Sequence, residues 1–100
     1  MVKHIVVWKL KETAHGNTKQ QNAVLLKQKL EALNGKIEGL LKLEVGIDFS
    51  KTESSGDIML YSEFPSREAL AAYLTHPLHK AVVPFVVESV SERRVVDYEG

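Results

Sequence analysis

Residues 2–11 read VKHIVVWKLK, and their period of two sets His4, Val6, Trp8 and Leu10 on one side of a β-strand and Lys3, Ile5, Val7 and Lys9 on the other. Both sides carry apolar residues at the strand centre. A sheet built on this strand therefore needs cover on both faces, because neither can be left against water. Helices supply one cover, and a second subunit is the economical candidate for the other.

The following segment, 12–16, is polar and ends in glycine. Asn17 can cap a helix there, with Gln20 three residues on in the manner of a capping box, and His15 reads as a solvated loop residue. Ala23, Leu26, Leu30 and Leu33 then recur at helical spacing until Asn34-Gly35 stops the helix. Leu43, Val45, Ile47 and Phe49 alternate with polar neighbours as strand two, where Gly46 suggests a bulge. The polar stretch 50–56 is a hairpin loop, and strand three over 57–64 sets Ile58, Leu60, Ser62 and Phe64 against Met59, Tyr61 and Glu63. Ser66 caps a short helix carrying Leu70, Tyr73 and Leu74 inward. Pro77 starts another helix, within which Pro84 should produce a kink or an end. After a turn at 88–92, residues 93–98 return as strand four.

This order matches the βαββαβ ferredoxin-like α+β fold, with a four-stranded antiparallel sheet ordered 4-1-3-2 and a single domain over residues 1–100. Strands one and four are then antiparallel neighbours. If Val6 faces Val95, His4 faces Asp97, and an imidazole and a carboxylate share one sheet face.

Composition narrows the function classes. Thirteen basic residues balance thirteen acidic ones without forming a stripe, so nucleic acid is not an expected partner. The absence of cysteine removes thiolate chemistry and suits a cytoplasmic protein. The first apolar run is short and broken by lysine, so no membrane partner is expected.

Two of the four histidines fall in AYLTHPLHKAV, residues 72–82. His79 lies in the first turn after Pro77, where free backbone amides and the helix dipole favour neutral imidazole, a form able to accept a proton. Tyr73 precedes it, and His76 is placed to cap. The same residues also suit a structural role, with His76 capping, His79 at a wet helix end and Tyr73 in the core. His76 and His79 need not share a face, so no metal is expected.

The stretches VKHIVVWKLK, IEGLLKLEVGIDF, AYLTHPLHKAV and RRVVDYE together resemble the stress-responsive α/β-barrel (Dabb) family, in order and over nearly the whole chain. The resemblance implies a homodimeric α+β barrel in which two sheets pack together. Its polyketide cyclase members close a linear polyketide by aldol condensation without metal or organic cofactor. By that likeness His79 is the base, Tyr73 stabilises oxygen charge, Asp97 orients His79, and His4 supports them. Val6, Trp8, His76, Val82 and Phe85 then contact a small hydrophobic or aromatic carbonyl compound. Where those cyclases carry bulky aromatics on the first helix, this chain has Ala23, Val24 and Leu25, so their substrate does not carry over. A non-catalytic binder of small hydrophobic molecules and a cofactor-free monooxygenase are the alternatives.

Overall fold

In the computed structural model, which describes residues 1–100, nine elements follow one another. They are β1 (Val2–Leu10), β2 (Thr13–Ala14), β3 (Asn17–Thr18), α1 (Lys19–Glu31), β4 (Lys42–Ile47), β5 (Ile58–Phe64), α2 (Arg67–Thr75), α3 (Pro77–Ser89) and β6 (Val90–Glu99). The main sheet runs β4-β5-β1-β6 with every neighbouring pair antiparallel, the arrangement expected from the order of hydrophobic periods. This is a ferredoxin-like α+β fold.

Alternation along β1 explains how the layers separate. Its even-numbered residues are buried beneath the helices, together with Leu43 and Val45 of β4 and the even-numbered residues of β5. Leu26 and Leu30 of α1 and Leu70 and Tyr73 of α2 close this core. The opposite face carries Ile5, Val7, Met59, Tyr61, Val96 and Tyr98, none of them fully buried by the chain itself. No helix is long and apolar enough to cross a membrane.

Several local expectations need correction. Thr18, not Asn17, caps α1: its Oγ1 accepts from the Gln21 amide at 3.2 Å, and Gln21 Oε1 accepts from the Thr18 amide at 2.9 Å. Asn17 is unavailable because it pairs with Ala14 in a small hairpin turned by His15 and Gly16, both at positive φ (55° and 75°). His15 is not simply solvated. Its ring stacks on Phe85 with centroids 4.1 Å apart, and its Nε2 lies 3.1 Å from Ser89 Oγ. Gly46 makes no bulge, since β4 and β5 pair without a shift; the irregularity lies instead between Lys9 and Leu10 where β1 meets β6. Ile47 and Phe49 stay exposed because β4 ends as the core does. Pro84 does not end α3, which continues to Ser89 and passes directly into β6 at Val90, with no turn between.

Strand β4 is a sheet edge, and side chains of α1 and the turn after it satisfy its outer backbone groups. Lys27 donates to the Val45 carbonyl at 2.6 Å, and Glu31 accepts from the Val45 amide at 3.1 Å. Asn34 bonds both the carbonyl and the amide of Leu43, at 2.8 and 3.0 Å. The Lys27 ammonium and then the Val45 amide hold the Glu31 carboxyl below its ordinary range.

Candidate functional site

Between α3 and the helix-side face of the sheet lies a cavity of about 480 Å³, walled mainly by Val6, Leu60, Val82 and Val86, with His4, Tyr73 and His79 as polar groups in its lining. Each arrives there for a sequence-local reason. Pro77 starts α3 and puts His79 in its first turn; the Ser66 cap starts α2 in the register that buries Tyr73; the β1 alternation turns His4 inward.

The hydrogen bonds settle which imidazole nitrogen is free. His79 Nδ1 lies 3.2 Å from the Leu74 carbonyl, which can only accept, so in the neutral ring the proton sits on Nδ1 and Nε2 keeps its lone pair. Burial pushes the His79 pKa below its ordinary 6.5; the nearby His4 and Arg93 push the same way, and the Leu74 carbonyl opposes them. Desolvation thus acts in the same direction as the helix start expected to favour the neutral ring. Tyr73 packs its ring against His79 (centroids 4.5 Å apart) and Phe64 (5.1 Å). Burial raises its pKa to about 12, so the phenol stays protonated and can donate.

His4 and Asp97 are directly opposed, as Val6 and Val95 are, and the His4 Nδ1 is hydrogen-bonded to the Asp97 carboxylate. Asp97 thus holds His4, not His79. The correction has a simple cause: the β1–β6 register hands Asp97 to His4, and the Leu74 carbonyl already occupies His79 Nδ1. His4 is left with a free Nε2 beside Tyr73, their ring centroids 6.4 Å apart.

Of the proposed contact residues, Val6, Trp8 and Val82 line the cavity. His76 and Phe85 do not. His76 is consumed as a cap, its Nδ1 accepting from the Leu78 amide at 3.1 Å. Phe85 turns to the other flank of α3, between His15 and the Lys29 ammonium, which sits 4.9 Å from its ring centre. Ala23, Val24 and Leu25 also lie outside the wall, where α1 contributes Leu30 instead. Reading the residues missed Leu74, Val87 and Arg93 as lining groups. Arg93 was reachable: the register that opposes Val6 to Val95 also opposes Trp8 to Arg93. No three His, Asp or Glu side chains converge as a metal-binding set.

Residues 2–100 match the stress responsive A/B barrel domain. The chain belongs to the Dabb family. A dimeric ferredoxin-like protein of unknown function from Bacteroides fragilis is 37% identical, with 99% of this chain and 95% of that chain covered and a TM-score of 0.87. A Dabb protein from Mesorhizobium loti is 24% identical over 99% and 95% of the two chains, with a TM-score of 0.74. An antibiotic biosynthesis monooxygenase shares the fold at 19% identity, covering 100% and 98%, with a TM-score of 0.74. No curated protein matches the chain.

Proposed function

We propose that this Dabb protein is a homodimer whose cavity performs acid–base chemistry on a carbonyl-bearing small molecule. The observation that supports this most is the pairing of Tyr73 and His79 in ring contact beside an apolar cavity, one carrying a protonated hydroxyl and the other an unengaged Nε2. A carbonyl oxygen accepting from Tyr73 would be polarised, and His79 Nε2 would remove a proton from the adjacent carbon. The Tyr73 donor then stabilises the developing enolate oxygen. His4, steadied by Asp97, is a second imidazole at the same cluster and a route for the proton afterwards. Enolate formation is the first step of an aldol ring closure, so a cyclase-type reaction follows from this chemistry.

The dimer rests on two supports: the apolar outer face of the sheet, and the dimeric state named for the Bacteroides fragilis relative at 37% identity. The cytoplasm remains the compartment that suits a cysteine-free chain.

Deuterium exchange alpha to the carbonyl of small β-diketones and aromatic ketones tests the chemistry, run with and without chelator. Exchange should survive chelator and fall about a hundredfold to ten-thousandfold in His79→Ala, the usual worth of a general base. Tyr73→Phe should slow exchange while leaving binding nearly intact. Exchange undiminished without His79 removes the proposal. The second reading, a non-catalytic binder, draws on the predominantly apolar lining. Retention of a small molecule in native mass spectrometry with no exchange would favour it.

A further inference from the structure

Arg93 is the one cation in the cavity lining. It projects from β6 on the same sheet face as its partner Trp8, two residues along the strand from Val95, which opposes Val6, and four from Asp97, which opposes His4. Its guanidinium has no acidic partner. No carboxylate lies within 4 Å of it: Glu92, which also lines the cavity, approaches Arg94 instead, at 3.9 Å. No ring holds it either, since the three cation–π contacts of the molecule all use lysines. Yet it stands near enough to His79 for its charge to bear on that imidazole.

We propose that Arg93 selects ligands carrying a carboxylate, set an apolar span away from the carbonyl that meets Tyr73 and His79. This rests on the acid–base reading of the same site and adds the substrate class to it, an apolar keto acid. The dimensions support it. His4 and Trp8 are four residues apart on β1, about 13 Å along an antiparallel strand, so Arg93, opposite Trp8, enters the cavity lining that far along the sheet from His4. Between them the wall is Val6, Leu60, Val82 and Val86. An apolar body with a carbonyl at one end and an anion at the other matches that distribution. The guanidinium offers a planar fork of donors that fits a carboxylate, which a neutral ester lacks the charge to exploit.

The test uses 4-(4-acetylphenyl)butanoate and its methyl ester, titrated into the intact protein at pH 7.5 and followed by the fluorescence of Trp8, the only tryptophan in the chain. The acid should bind about tenfold more tightly than the ester, the scale of one charge-assisted contact at a partly open site. Arg93→Met should abolish that preference and leave ester affinity unchanged; Arg93→Lys should restore part of it. Equal affinity for acid and ester in the native protein, a preference that survives Arg93→Met, or no binding of the acid at millimolar concentration overturns the proposal. His79-dependent exchange on the ester without preference for the acid defeats the role of Arg93 alone. Preference for the acid without exchange defeats the acid–base reading alone.

Discussion

Replacing Ile5 by aspartate challenges the assembly at the centre of the uncovered sheet face. Ile5 stands between Tyr61 and Val96 on the neighbouring strands and is half-buried within one chain. In a lone subunit the new carboxylate therefore reaches water, and the folding cost is that of the lost apolar contact, about 1–2 kcal/mol. In a face-packed dimer it is enclosed without a cation, at about 3–5 kcal/mol per copy. Two-fold symmetry applies the penalty twice, so the dimer loses at least ~6 kcal/mol, and its dissociation constant rises at least about ten-thousandfold. Sedimentation equilibrium at micromolar concentration should show native dimer and an Ile5→Asp species of 11.2 kDa that remains folded by circular dichroism. Val24→Asp, on the exposed side of α1, serves as the control and should leave the dimer intact. A native protein that sediments only at 11.2 kDa, or a variant that dimerises as tightly as native, refutes the reasoning.

The exchange rate should fall on the acid side with a midpoint below 6.5, because burial lowers the His79 pKa and only the neutral ring accepts a proton; a midpoint at or above 6.5 contradicts this. The same shift has a stability counterpart. Unfolded chains protonate His79 near 6.5 while the folded site resists, so its contribution is present above that pH and lost as pH falls toward the folded value, and His79→Gln should flatten that part of the melting-temperature profile. Asn34→Ala removes both side-chain bonds to Leu43 and should cost about 1–2 kcal/mol, lowering the melting temperature by several degrees; no change would mean that water replaces the amide without loss.

Strand parity carried most of the fold and part of the site. Once β1 alternates and the chain closes with an antiparallel strand, His4 against Asp97 follows from Val6 against Val95, and the same step reaches Arg93. What parity cannot supply is rotation about a helix. Val82, Phe85 and Val86 lie on one helical stripe, but only the packed structure divides it into a flank against the cavity and a flank against the small hairpin, which is why Phe85 ends on His15. Hydrogen-bond partners fail for a related reason. That the Leu74 carbonyl takes His79 Nδ1 depends on how the chain bends through His76 and Pro77, a three-dimensional fact with no periodicity. Gly46 misled because glycine at an exposed edge needs no special backbone, and its Cβ position is open space.

The side-chain seal along β4 limits growth as well as stabilising a strand. A sheet with two bare edges can add copies at both and lengthen without end, whereas here Lys27, Glu31 and Asn34 have already taken the groups an incoming strand would need. Only the β6 edge remains bare. Addition along the sheet would stop at two chains, because joining bare edge to bare edge leaves a sealed strand at either end. Opening the seal, as Asn34→Ala begins to do, would let a single sheet gain chains at both of its edges.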